Sequence, residues 1–309
     1  MSETEIRIEA QPVFFFGDTG YDHLYLVLVT PDGEEQVLRG YPEGALGTGP
    51  LVIEDSVAMA SSRDYRPVSD RALYGSRVLD LDGRAAEDIW DIMRQQARAI
   101  EAAEVPYNLF EVNSNSVIAS LLHVVGIPLA DTLPYPPVSE TALTGLGSIV
   151  DSFDFVLSGT ERDDTLHGGA RHDRLSGGGG ADVLAGRAGS DGLTGGEGDD
   201  FLNGGWGHDR LTGGSGQDRF FHDGHAGHGS DWVLDFDQSE DDRLLFGGPA
   251  TSDQFQVNFA TTPGAGDDAT AEAFVIWRPT GQILWAIADG AAQDSILLRI
   301  DGQDHDLLT

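Results

Sequence analysis

Seven aspartates recur at every ninth residue: Asp164, Asp173, Asp182, Asp191, Asp200, Asp209 and Asp218. Each is the sixth residue of a nonapeptide G-G-x-G-x-D-x-U-x, where U is large and apolar. Seven such units run without insertion or loss from Gly159 to Phe221. The U residues are Leu166, Leu175, Leu184, Leu193, Leu202, Leu211 and Phe220. One carboxylate per unit, set among glycines, is a supply of hard oxygen ligands. Glycine turns tightly and lets backbone carbonyls aim inward. Calcium takes roughly six to eight oxygens at about 2.3–2.6 Å and mixes carboxylates with carbonyls. A flexible linker needs neither the aspartate nor the apolar residue in phase.

The last three residues of each unit read as a short strand with U pointing inward. No single unit can bury its own U residue, so neighbours must stack, two units to a coil. The pattern resembles the RTX, or hemolysin-type, calcium-binding repeat, which implies a parallel β-roll holding about five Ca2+ ions. The resemblance also implies that the sixth-position aspartates of adjacent coils share each ion with loop carbonyls. The glycine positions lapse at Thr160, Arg162, Arg171 and Arg187. Weaker sites are therefore expected toward the N-terminal end.

After the repeats, Asp231 falls in a loop phase like that of the repeat aspartates, and is read as a further metal ligand. The run Asp231-Trp-Val-Leu-Asp-Phe, then Asp241-Asp-Arg-Leu, resembles the family's closing segment, with Asp235 placed to join the last site. His222, His225 and His228 lie between. They read as a polar, solvated loop; a zinc site would need them to converge with a fourth ligand. Residues 253–309 alternate apolar and polar, which predicts a small all-β cap over the open end of the roll.

The first 135 residues have another texture. His23-Leu-Tyr-Leu-Val-Leu-Val and Glu35-Gln-Val-Leu-Arg39 read as strands joined by the turn Thr30-Pro-Asp-Gly33. Val13-Phe-Phe-Phe reads as another strand. Ala85–Glu104 reads as a helix with Ile89, Met93, Ala97 and Ile100 on one face. Asn113-Ser-Asn-Ser116 opens a second helix that buries Val117, Leu121, Leu122 and Val125 and stops at Gly126. A strand histidine followed by such a helix opening resembles the circularly permuted papain-like superfamily. That resemblance puts His23 at the histidine and Ser114 in the place of the cysteine nucleophile. A helix N-terminus favours developing negative charge, but a serine hydroxyl ionises far less readily than a thiol. Ser114 and Ser116 read equally as helix caps.

The fold class expected is an α+β N-terminal domain (1–135), a linker (136–158), a calcium-binding parallel β-roll or β-solenoid (159–221), and a small all-β C-terminal cap (222–309). The net charge of −34, with no lysine and both halves acidic, disfavours nucleic acid and anionic membranes as partners. The chain has no cysteine, hence no thiol chemistry. No signal peptide and no membrane span is legible. The resemblance implies an extracellular protein exported by a type I machinery without a cleaved signal, its tail Asp306-Leu-Leu-Thr309 being similar to the ends of type I substrates. An extracellular target is implied but not named by the sequence. Three functions fit: a calcium-folded carrier of an N-terminal effector domain, a secreted hydrolase of amidase or esterase type, or a surface or matrix adhesin. H-E-x-x-H and G-x-S-x-G are both absent.

Overall fold

The computed structural model describes residues 3–14, 18–43, 51–62, 75–106, 113–133, 149–225 and 227–309. It divides into two compact units, Met1–Phe153 and Asp154–Thr309.

The first unit is an antiparallel sheet of β1 (Glu5–Phe14), β2 (Asp18–Val29), β3 (Glu35–Pro42), β4 (Leu51–Ala58) and β5 (Ser76–Val78), in the order β4-β3-β2-β1-β5. The β2–β3 hairpin closes at the expected turn. The Gly33 amide donates to the Thr30 carbonyl, and Gly33 has φ +85°. Val13 and Phe14 belong to β1, whereas Phe15 and Phe16 lie outside the described residues. Two helices follow, α1 (Ala86–Ala102) and α2 (Ser114–Val124), then the short α3 (Leu129–Thr132). The expected apolar faces are buried: Ile89, Met93, Ala97 and Ile100 of α1, and Val117, Leu121, Leu122 and Val125 in and after α2, are all at 0% exposure. A Cβ on Gly40 would meet Val117 at 2.6 Å, so this glycine lets α2 lie close on β3.

The cap of α2 is Asn113 rather than a serine. Its Oδ1 accepts from the amides of Asn115 (2.9 Å) and Ser116 (3.2 Å). The Ser116 hydroxyl oxygen in return accepts the Asn113 amide at 3.2 Å, which completes a capping box. Asn113→Ala is expected to cost about 1 kcal/mol. Urea unfolding of the variant beside the unaltered chain, followed at the helical band, checks it.

The second unit is a two-sheet solenoid. One sheet carries β6 (Val156–Ser158), β8 (Arg174–Gly179), β11 (Gly192–Glu197), β14 (Arg210–Ser215), β16 (Asp231–Val233) and β20 (Gln282–Ile287) as successive parallel rungs. The other carries β7 (Thr165–His167), β9 (Val183–Ala185), β12 (Phe201–Asn203), β15 (Arg219–His222), β17 (Arg243–Phe246) and β21 (Leu297–Ile300). Between them, β10 (Ala188–Gly189) and β13 (Trp206–Gly207) pair in the loops. The inward residues stack in two columns. Leu157, Leu175, Leu193, Leu211, Val233 and Ile287 form one; Leu166, Leu184, Leu202, Phe220, Leu244 and Leu298 form the other, each at 2% exposure or less. Burying each is worth roughly 1.5–3 kcal/mol, which no isolated coil can realise.

One boundary differs from that expected. Val156–Ser158, placed in the linker, is the first rung, because its Leu157 enters the inner column beside Leu175. The all-β C-terminal cap covers the end of the roll by continuing its two sheets. β16, β17, β20 and β21 prolong both sheets in parallel, and β18 (Phe255–Ala260), β19 (Glu272–Trp277) and β22 (Gln303–Asp306) finish the edges antiparallel. An open solenoid end exposes a row of unpaired amides and carbonyls, and these strands cover it.

Candidate metal centre

The loops between rungs build two ladders of carboxylates, one along each side of the roll. From Asp182 onward, each aspartate presents Oδ1 to the backbone amide of the aspartate one coil before it. Asp182 Oδ1 accepts from Asp164 (2.7 Å), Asp200 from Asp182 (2.8 Å), and Asp218 from Asp200 (3.0 Å). On the other side Asp191 accepts from Asp173 (2.8 Å), Asp209 from Asp191 (2.8 Å), and Asp231 from Asp209 at 3.3 Å. One oxygen of each carboxyl is thus spent on holding the coils in register.

The second oxygen separates the aspartates into two groups. Asp164 Oδ2 accepts both the amide (2.7 Å) and the hydroxyl (2.9 Å) of Thr160. Asp173 Oδ2 accepts the Gly169 amide at 2.7 Å. By contrast, Oδ2 of Asp182, Asp191, Asp200, Asp209, Asp218 and Asp231 is buried with no hydrogen-bond partner among the described residues. A buried carboxylate oxygen left unsatisfied is costly, so six in two ladders ask for a cation.

The surroundings fit one. A Cβ on Gly195 would fall 2.1 Å from Asp200 Oδ2 and 2.5 Å from the Gly213 carbonyl oxygen. The carboxylate and the next coil's carbonyl therefore converge over the first glycine of a unit, in a space that only glycine leaves open. Gly186 repeats this, with Asp191 Oδ2 and the Gly204 carbonyl oxygen both at 2.5 Å from such a Cβ. Oxygen-only donors of mixed carboxylate and carbonyl type suit calcium.

Burial pushes these carboxyls up, and neighbouring carboxylates add to it. Asp200 and Asp173 rise to about 6, Asp182 and Asp218 to about 7, and Asp191 to about 8. Asp209 and Asp231, buried against one another, are raised as well. Without a cation, the ladder competes for protons near neutral pH.

Asp242 belongs to the same ladder, although the repeat phase alone does not single it out. Its Oδ1 accepts the Asp218 amide at 2.9 Å and its Oδ2 the Asp237 amide at 2.8 Å. The signal was present as Asp242-x-Leu244, the D-x-U spacing of the repeats. Asp235 plays another part. Both of its oxygens are taken, by the amides of Gly213 and Gly214 at 2.9 Å each. The lapses at Arg171 and Arg187 leave the loops standing. A Cβ on Gly189 would lie 1.9 Å from the Arg171 carbonyl oxygen, and one on Gly205 2.2 Å from that of Arg187. Arg187 adopts φ +77°, a region where a Cβ costs roughly 1 kcal/mol.

Of the two candidate catalytic residues of the first unit, His23 and Ser114, the side chain of His23 is described. The His23 ring stacks on Tyr25 at 6.3 Å, and the Tyr25 hydroxyl donates to Glu9 at 2.9 Å. Tyr25 clusters with Val27, Val37 and Met59, while Leu26 pairs with Leu38 on the Gly40 face that α2 covers. Side chains alternate along a strand, so His23 points to the face away from α2. The start of α2 does approach this strand: Asn115 Oδ1 accepts the Leu24 amide at 2.8 Å. The Ser114 side chain lies outside the described residues.

Residues 158–193 and 193–220 match the family model for the RTX calcium-binding nonapeptide repeat. No curated protein matches the chain. Among solved structures, the chain is similar to the AlgE6R3 subunit of the Azotobacter vinelandii mannuronan C5-epimerase, a solution structure. The two are 26% identical over 47% of this chain and 76% of that one, with a TM-score of 0.25. Residues 158–220 are RTX calcium-binding nonapeptide repeats, and repeats of this kind bind calcium.

Proposed function

We propose that this is a secreted calcium-binding protein whose roll folds on calcium outside the cell and displays the N-terminal unit as an effector or binding domain. The observation that carries the reading is the set of six buried, unpartnered Oδ2 atoms at Asp182, Asp191, Asp200, Asp209, Asp218 and Asp231. These residues, with loop carbonyls such as those of Gly204 and Gly213, would hold about five ions. Calcium supplies charge neutralisation there; the chain supplies the register, the glycine turns and the leucine columns. RTX repeat proteins are typically secreted, and no described helix is long and apolar enough to cross a membrane. Millimolar extracellular calcium would then act as the folding trigger after type I export, and the acidic surface would steer the displayed unit toward a target other than nucleic acid.

A calcium titration of the full chain tests this, with far-UV circular dichroism and equilibrium dialysis read on the same samples. The expected result is a gain of β signal saturating with about five calcium ions per chain. A spectrum indifferent to both calcium and chelator sinks the proposal.

A further inference from the structure

Two of the three histidines after the repeats are withdrawn from solvent, while His225 stays exposed. His222, the last residue of β15, is at 0% exposure and His228 at 3%. Their rings lie 4.4 Å apart, tilted by 58°. Trp206 stands 5.6 Å from His228, and Trp285 stands 5.6 Å from His222. Asp223 enters the same cluster. Its Oδ1 is 3.6 Å from His228 Nε2, and its Oδ2 is 2.9 Å from His225 Nδ1. One ligating atom from each of His222, Asp223 and His228 falls within 4.8 Å of the others. His228 Nδ1 is buried without a hydrogen-bond partner among the described residues.

We propose that His222, Asp223 and His228 form a site for a zinc-class divalent metal, distinct in its ligands from the calcium ladders, with the fourth position left to solvent. Two imidazoles and one carboxylate are the wrong set for calcium, which takes oxygen alone, and a right one for zinc, which takes nitrogen and oxygen at about 2.0–2.2 Å in a tetrahedron. Those bond lengths put ligand atoms roughly 3.3 Å apart, so the cluster must contract by up to about 1.5 Å. Gly224 and Gly227, at φ +75° and +94°, give the connecting loop that freedom. In His222, Nδ1 accepts the Gly224 amide at 2.9 Å and Nε2 stands 3.4 Å from the Gly229 carbonyl. Metal binding therefore exchanges one of these two contacts for a ligand bond. His228 turns Nε2 toward Asp223 at 3.6 Å, itself one of the proposed ligands.

The test uses the full chain saturated with calcium, dialysed against zinc alone or cobalt(II) alone. One zinc per chain is expected to resist excess calcium, and cobalt(II) is expected to give the intense visible bands of a tetrahedral site. His228→Ala and Asp223→Asn should each weaken zinc by about 100-fold, while His172→Ala leaves it unchanged. Calcium-induced circular dichroism, read on every sample, shows which variants fold; an intact calcium response without zinc overturns this proposal and leaves the calcium reading standing. The cobalt spectrum of the unaltered chain needs no variant at all. Only weak octahedral bands, or zinc fully displaced by calcium, would also overturn it.

Discussion

Raising the pH from about 5 to about 8 is expected to destabilise the calcium-free roll and to tighten calcium binding by the same residues. The sign comes from the carboxyls. Asp182 and Asp218 rise from 3.8 to about 7, and Asp191 to about 8, through burial first and neighbouring carboxylates second. A group whose pKa is higher in the folded state binds more protons there than in the unfolded chain. Its contribution is fully present below pH 4 and is lost as pH rises through 7 to 8. A cation reverses the dependence, because it requires the ionised form and competes with those protons. If about five independent sites are each filled at tenfold over Kd, calcium contributes roughly 7 kcal/mol, comparable to the whole stability of a small domain. The β signal of the roll in chelator should therefore fall as pH rises, while urea midpoints in calcium rise with pH. The far-UV signal of the roll would report both, and a pH dependence of the same sign in the two conditions would refute the carboxylate ladder as the calcium site.

The ladder itself was legible in the sequence because a solenoid converts period into position. Nine residues advance half a coil, so an unbroken phase of aspartate and U places the repeat aspartates, their rungs and the repeat part of both inner columns. The segment after the repeats was less legible. Trp285, Ile287, Leu298 and Ile300 carry no glycine or aspartate signal, yet Ile287 and Leu298 extend the inner columns because the last coil leaves a sheet edge to be paired. Asp231 was legible and Asp242 was not, since a variable-length loop separates it from the repeat phase although Asp-x-Leu is kept. The division of the aspartates into open and closed oxygens depends on Thr160 and Gly169 amides, which no residue count reveals. In the first unit, His23-Leu-Tyr-Leu-Val-Leu-Val is apolar on both faces. The alternation therefore did not say which face α2 covers, and His23 falls on the other one. The burial of His222 likewise goes with Trp285, distant in sequence from the loop.

Asp200→Asn is expected to raise the calcium concentration for half-folding about tenfold, whereas Asp164→Asn leaves it unchanged. The two residues occupy the same position of the same motif, and composition does not separate them. Asp200 Oδ1 holds the Asp182 amide at 2.8 Å, and an asparagine keeps that acceptor. Its Oδ2 is buried and open, and the substitution puts a neutral donor there, facing the Gly213 carbonyl side of the loop. One ligand and one negative charge are lost from the middle of the ladder, where coils on both sides depend on it. Losing one site filled at tenfold over Kd removes about 1.4 kcal/mol, and a shared ligand weakens two. Asp164 closes its second oxygen on Thr160 at the end of the column. Asparagine there disturbs a turn and costs about 1 kcal/mol of hydrogen bonding, without touching calcium. Calcium titrations of the two variants, normalised to the same folded amplitude, decide between a graded ladder and a uniform one. Equal shifts for both would mean that every sixth-position aspartate binds alike and that the Thr160 contacts yield to the ion.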